Sequence, residues 1–321
     1  MDRFLITGFS GFVSKHLLNY LDLREQKLQV LGLDVNEPPF SINDFINLNC
    51  DFTALNLLNR SAVHKTIRDF QPDCILHLAA FSSVGLSWQQ PVESFKNNTN
   101  IFLNLIDAVR KNGCNCRILS VGSSEEYGDI SQEKLPLREE TQLNPVSPYA
   151  VARLAQEHLS QVFVSGYDLD IVMTRSFNHI GPGQKEIFVV SSFAKQVVEM
   201  EKAGVARGKL RTGDVSIVRD FLDVRDVVVA YDRLMRQGVR GQIYNVCSGV
   251  GVSLREIIEL ISEITGIGID IEVDQRLIRP ADNRILIGSN EKLRQATGWT
   301  NAIPLRDSLS SIIEHWRHRL R

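Results

Sequence analysis

Phe4-Leu5-Ile6-Thr7-Gly8-Phe9-Ser10-Gly11-Phe12-Val13-Ser14-Lys15-His16-Leu17-Leu18 is the stretch on which the reading of this chain turns. Its apolar run Phe4, Leu5, Ile6 predicts a strand, its paired glycines a tight loop, and the spacing of Leu17, Leu18 and Leu21 an amphipathic helix. Gly8 can take the positive φ of a sharp turn, and Gly11 lets the backbone approach a ligand. The helix that follows offers unpaired amides and a partial positive charge to a pyrophosphate, with Gly8, Gly11, Phe12 and Val13 as the ligand-facing positions. The third glycine of a dinucleotide fingerprint is Ser14 here, small enough to keep helix and strand close. The next strand, Gln29 to Leu33, ends in Asp34, where the ribose-binding acid of that fingerprint belongs. A carboxylate there accepts from both ribose hydroxyls and repels a 2′-phosphate, which favours NAD(H) while leaving NADP(H) open.

Strand-like and helix-like segments alternate through the first half, the pattern of a parallel sheet with crossover helices. A short strand, Asn47 to Cys50, leads into Asp51 and Phe52, with Asp51 placed to accept from an adenine amine. Ala62 to Phe70 reads as a helix and Cys74 to Ala79 as a buried strand ending in His77-Leu78-Ala79-Ala80. Small residues at that carboxyl end let a cofactor lie across Leu78, Ala79 and Ala80, whereas His77, inside an apolar run, reads as a core histidine. A helix is expected from Phe95 to Val109, with polar Asn98 near its start, and then a strand from Arg117 to Val121. That strand opens into Gly122-Ser123-Ser124-Glu125-Glu126-Tyr127-Gly128. Further on, Ser147 is an N-cap and Pro148 a first-turn proline, so Tyr149 and Arg153 share one helical face.

After the strand Asp170 to Thr174, the turn-rich Arg175-Ser176-Phe177-Asn178-His179-Ile180-Gly181-Pro182-Gly183 marks a change of organisation. The expected fold is α/β: a doubly wound parallel (Rossmann) sheet with a smaller C-terminal α/β substrate-binding domain. Residues 1–177, with about 216–247, form the first, and about 178–215 with 248–321 the second. At 321 residues with 43% hydrophobic and 23% charged content, the chain can bury cores of that size. A net charge of −2 gives no field that would gather nucleic acid or anionic lipid. An odd set of cysteines in apolar context, with Cys114-Asn115-Cys116 too tight for a zinc pair, predicts reduced thiols and no metal. No apolar stretch reaches membrane-spanning length and the N-terminus enters a strand directly, so a cytoplasmic location is expected.

A phenol four residues before a fixed cation is a proton-transfer device. Phenols ordinarily ionise near ~10, and an adjacent positive charge stabilises the phenolate. Ser123 can hydrogen-bond the same substrate oxygen, so Ser123, Tyr149 and Arg153 beside a nicotinamide would form a hydride-transfer site.

In these features the sequence resembles the extended short-chain dehydrogenase/reductase family over nearly its whole length, in its nucleotide-sugar branch. The residues that carry the likeness are Thr7-Gly8-x-x-Gly11-x-x-Ser14, Asp34, Asp51, His77-Leu78-Ala79-Ala80, Asn98, Ser123, Tyr149-x-x-x-Arg153, Arg175-x-x-Asn178 and Arg219-Asp220-Phe221-Leu222-Asp223-Val224. The blocks Gly122 to Gly128, Phe177 to Gln184 and Asn245 to Gly249 look most like the GDP-4-keto-6-deoxy-D-mannose reductases. The resemblance implies reduction of the C4 keto group of that sugar to GDP-D-rhamnose by NAD(P)H. By the same likeness Ser123 and Tyr149 act on the keto oxygen, while Asn178, Arg219 and Arg279 contact the diphosphate of a GDP-sugar and Asp282 its ribose. It also implies a homodimer.

The family has lysine where this chain has Arg153, which implies a retained but slower site, since guanidinium is larger and never neutral. Ile101 and Phe102 also stand where relatives carry Gly-Thr. Glu125 opens an alternative, because related GDP-mannose 4,6-dehydratases use a glutamate here as a base; those enzymes usually carry threonine at the Ser123 position and lack the His-Ile-Gly-Pro-Gly-Gln run. A nucleotide-sugar 4-epimerase shares the same site residues, and the missing lysine also admits a non-catalytic GDP-sugar-binding protein.

Overall fold

The computed structural model describes residues 3–24, 27–278 and 283–321. Through the first half run β1 (Arg3–Thr7), α1 (Phe12–Asp22), β2 (Leu28–Asp34), β3 (Leu48–Ala54), α2 (Arg60–Phe70), β4 (Cys74–His77) and α3 (Val84–Gln89). They are followed by α4 (Pro91–Phe95), α5 (Ile101–Lys111), β5 (Arg117–Ser123), α6 (Pro148–Tyr167) and β6 (Asp170–Ser176). The second half holds β7 (Asn178–Ile180), α7 (Val189–Lys202), β8 (Arg207–Thr212), β9 (Val218–Asp223), α8 (Val224–Gln237), β10 (Ile243–Val246) and β11 (Gly251–Ser253). It closes with α9 (Leu254–Thr265), β12 (Gly268–Val273), β13 (Ile285–Leu286), α10 (Glu291–Thr297) and α11 (Leu305–Arg319).

The main sheet has seven strands in the order β10-β6-β5-β4-β1-β2-β3, every pair parallel. Strand order reverses between β1 and β4, so the glycine loop after β1 opens into the crevice where such sheets bind ligands. Leu5, Ile6, Ile75, Leu76, Ile118, Leu119, Ile171 and Val172 are all buried without alternation, as strands covered on both faces must be. Leu17, Leu18 and Leu21 of α1 pack with Val227, Tyr231 and Leu234 of α8 on one face. Val63 and Ile67 of α2, Phe102 and Leu105 of α5, and Phe163 of α6 cover the other. Because β10 pairs with β6, the sheet takes its last strand from the second half of the chain.

A smaller sheet forms around β9, flanked by β11 and β13, with β7 also pairing to β9, while β8 and β12 make a separate parallel pair. Beneath them Val197, Ile257, Ile261, Ile312 and Trp316 of α7, α9 and α11 make a third core.

The expected helix from Phe95 to Val109 is continuous but carries a π-helical turn: α4 ends at Phe95, the wider turn takes Lys96–Asn100, and α5 runs on from Ile101. The cause is Asn98, fully buried, whose side chain accepts from the Phe81 N–H at 3.1 Å and donates to Ser94 O at 2.7 Å. A widened turn lets that side chain point inward at the strand ends. The strand expected to stop at Cys50 continues to Ala54, because pairing with β2 runs on to Asp34↔Ala54.

Candidate active site

Gly8 sits at φ +73°, and a Cβ there would lie 2.7 Å from the Ala79 nitrogen and 2.8 Å from the Leu78 carbonyl carbon. Only glycine lets β1 turn this close to the end of β4, which brings Leu78 and Ala79 against the loop. Gly11 is the N-cap of α1 in extended geometry, with no side-chain capping bond and no acid in the first turn. The first-turn amides of Phe12 and Val13 are thus left to an anionic ligand. The Asp34 carboxylate closes the loop from β2: Oδ2 accepts from the Ser10 N–H at 3.0 Å and the Ser10 hydroxyl at 2.7 Å, and Oδ1 from the Val35 N–H at 2.7 Å. A fixed carboxylate beside helix amides suits a ribose joined to a pyrophosphate. Asp51 is exposed on the edge strand β3. The Phe52 ring stacks on Phe9 at 6.0 Å, so its main chain is what remains for a cofactor. Ala80 is exposed just beyond β4.

At the end of β5, Ser123 is nearly buried, and its Oγ accepts from the Glu125 N–H at 3.3 Å. Helix α6 starts as its sequence dictates, with Ser147 Oγ accepting from the Ala150 N–H at 3.1 Å and Pro148 in the first turn. The Tyr149 N–H donates to Ser87 Oγ at 3.3 Å, a tie that sequence reading missed because nothing about Ser87 marks it in the chain. One turn on, Arg153 is 3% exposed; its Nη2 donates to Val121 O, and its Nη1 to Asn98 Oδ1 at 3.4 Å. Its guanidinium carbon lies 5.8 Å from the Tyr149 ring centroid. Val121 and Ser123 alternate onto the same face of β5, so one buried cation ties the phenol to the strand that carries the serine.

His77 is a core residue: its Nδ1 meets Thr7 Oγ1 at 2.8 Å, and burial, then the Arg153 charge, lowers it to about 3. Behind β5 lies a buried ionic cluster that sequence reading did not find. Arg175 donates to both oxygens of Glu157 at 2.8 Å and to Glu139 O at 2.9 Å, and lies 4.9 Å from the Tyr127 ring centroid.

Glu125 Oε2 accepts from Asn283 Nδ2 at 3.1 Å, which brings the segment before β13 to the catalytic strand end. Asn178 and Arg219 lie on neighbouring strands of the smaller sheet, β7 and β9, with Asn178 paired to Phe221; Arg219 is buried and donates to Val218 O at 3.0 Å. Arg279 and Asp282 lie outside the described residues. The segment after β7 is held against the cofactor loop: His16 Nε2 donates to Pro182 O at 2.9 Å, and the Phe12 ring lies 6.3 Å from that of His179 at an angle of 16°. Among the described residues no three His, Cys, Asp or Glu side chains gather as a metal site, and no helix is long and apolar enough to cross a membrane.

A glycine loop at the switch point of a parallel sheet, followed by a serine, a tyrosine and a buried cation at the next strand end, defines a nicotinamide-dependent enzyme of the short-chain dehydrogenase/reductase class. Residues 5–312 match the family model for GDP-mannose 4,6 dehydratase, and the chain belongs to that family. It is 35% identical to GDP-6-deoxy-D-mannose reductase of Pseudomonas aeruginosa, across 99% of this chain and 98% of that one. It is 27% identical to GDP-6-deoxy-D-talose 4-dehydrogenase of Aggregatibacter actinomycetemcomitans, across 92% and 91%. The structure of RMD from Pseudomonas aeruginosa complexed with NADPH superposes with a TM-score of 0.85 at 34% identity, over 99% of this chain and 100% of that one. UDP-glucose 4-epimerase of Thermus thermophilus in complex with NAD gives 0.85 at 29%, over 98% and 99%.

Proposed function

We propose that this enzyme reduces the C4 keto group of GDP-4-keto-6-deoxy-D-mannose to a hydroxyl, giving GDP-D-rhamnose, at the expense of a reduced nicotinamide dinucleotide. The observation that carries the reading is the Arg153 side chain, which joins the Tyr149 ring to the Val121 carbonyl on the strand of Ser123. The 35% identity to a GDP-6-deoxy-D-mannose reductase supplies the sugar.

The amides of Phe12 and Val13 hold the pyrophosphate, Asp34 the adenosine ribose, and Leu78, Ala79 and Ala80 form the floor beneath the dinucleotide. When bound, the nicotinamide supplies a hydride to the sugar C4. Ser123 Oγ already accepts from the Glu125 N–H, so its O–H is free to donate a hydrogen bond to the keto oxygen. Tyr149 gives its phenolic proton to that same oxygen as C4 takes up the hydride, and the Arg153 charge compensates the phenolate left behind. By the family likeness Asn178, Arg219 and Arg279 contact the diphosphate of the substrate and Asp282 its ribose. On this reading the main sheet with β10 is the cofactor domain, and the elements around β9 are the substrate domain. The negative charge of Asp34 favours NADH over NADPH, and the two copies of a homodimer each carry a full site.

The test is to follow NADH and NADPH absorbance with enzymatically prepared GDP-4-keto-6-deoxymannose and identify the product. Oxidation of the cofactor with formation of GDP-rhamnose supports the proposal. Conversion of GDP-mannose to the keto sugar without added reductant would replace it with the dehydratase reading, and a strong NADPH preference removes Asp34 from the ribose.

A further inference from the structure

We infer that Glu126 is a positioning residue for the reduction, setting the orientation of the Ser123 hydroxyl by holding the Ser123 main chain from behind the strand.

Glu126 Oε1 accepts from the Ser123 N–H at 2.7 Å, while the Ser123 hydroxyl accepts from the short helical turn that begins after it. The two residues therefore lock each other in a reciprocal cap. Caps of this kind usually sit at a wet helix end, but Glu126 is 0% exposed, so the usual reason for a glutamate there, solvation of the charge, is missing. Among the described residues its second oxygen, Oε2, has no hydrogen-bond partner and faces Arg175 Nε at 3.9 Å. Arg175 in turn is clamped by both oxygens of Glu157 and does not turn to meet it.

Burying a carboxyl with one oxygen unbonded costs stability, and an apolar side chain of the same size would avoid that cost. What such a side chain would lose is the acceptor on the Ser123 amide. The strand is shaped around this acceptor: a Cβ at Gly122 would lie 2.7 Å from Glu126 Oε1 and 2.4 Å from Thr174 O. Burial, and then the Glu157 charge, holds the Glu126 carboxyl well above the usual carboxylate range. Ser123 must aim its hydroxyl hydrogen bond at the keto oxygen while Tyr149 gives up the proton, and a main chain free to rotate at this position would misdirect it.

The inference rests on the reductase reading, so the experiment starts from wild-type turnover of the keto sugar; an inert wild type would sink that reading and leave nothing for Glu126 to position. Given turnover, Glu126→Gln keeps the acceptor and adds no volume, and its kcat should stay within about threefold of wild type. Glu126→Leu and Glu126→Met remove the acceptor and should lower kcat about tenfold or more, with KM and cofactor affinity unchanged. A tenfold loss in Glu126→Gln would overturn the inference, whether or not the apolar variants fold, because it would make the charge and not the acceptor the working part. Apolar variants that fold and retain wild-type kcat would also overturn it.

Discussion

The glycine loop and the end of β5 face the same crevice, yet they are built in opposite ways. The loop is backbone: Gly8 at φ +73°, unpaired amides at α1, and one half-buried carboxylate holding Ser10. The end of β5 is side chain: Arg153, Arg175, Glu126 and Glu157 are all nearly or fully buried, with Arg153 and the Arg175–Glu157 pair placed by contacts between separate elements. The difference follows from the task. A pyrophosphate is held by amides that a helix start provides at no electrostatic cost, whereas moving a proton at a defined point needs a charge fixed where water cannot screen it.

If that contrast is right, changes at the β5 end should act on rate and stability, and changes at the loop on cofactor affinity. Tyr149→Phe is expected to have the largest effect, a loss of ~10²–10⁴ in kcat. Isothermal titration with NAD(P)H should show unchanged affinity; a matching loss of affinity would erase the division between the two regions. Glu157→Leu leaves Arg175 buried without its bidentate partner, and urea unfolding should show a loss of ~3–5 kcal/mol. Gly8→Ala forces a side chain into a positive-φ turn and against the Ala79 amide, costing ~1–3 kcal/mol, with weakened cofactor binding as the diagnostic readout.

Arg153→Lys sharpens the comparison within the β5 end. Turnover should rise, because arginine is an imperfect substitute for an ammonium, while stability falls by ~1 kcal/mol as the planar fork to Val121 O and Asn98 Oδ1 is lost. A kcat that is unchanged or lower would show that the guanidinium is the better cation in this setting. Another effect is on pH dependence. His77 is held at about 3 against an ordinary 6.5, so between those values the unfolded chain binds a proton that the folded chain refuses. Stability should therefore be full above pH 6.5 and fall on acidification, with this one group contributing up to ~1.4 kcal/mol per pH unit. Denaturant midpoints at pH 7.5 and 5.5 should differ less in His77→Asn than in wild type.

These two regions were also unequally legible. The loop, Asp34 and the start of α6 at Ser147-Pro148 are read from consecutive residues, because a turn, a strand-end acid and a helix cap are each set by local backbone chemistry. The π turn within the expected helix at Lys96–Asn100 was hidden, since it depends on where Asn98 finds Phe81 and Ser94. The strands around β9 were largely hidden for a related reason: they are short and polar, and their pairing with β7, β11 and β13 joins segments far apart in the chain.

By itself the sequence determined the doubly wound sheet, the glycine loop and the shared helical face of Tyr149 and Arg153, since periodicity, glycine placement and an i, i+4 spacing are properties of neighbouring residues. Only the tertiary structure decided that Arg153 lies under the Tyr149 ring on the Val121 carbonyl, that His77 is held neutral, and that Glu126 reaches back to the Ser123 amide. Those outcomes depend on burial and on hydrogen-bond partners contributed by other strands and helices, and burial is a property of the packed chain, absent from any segment taken alone.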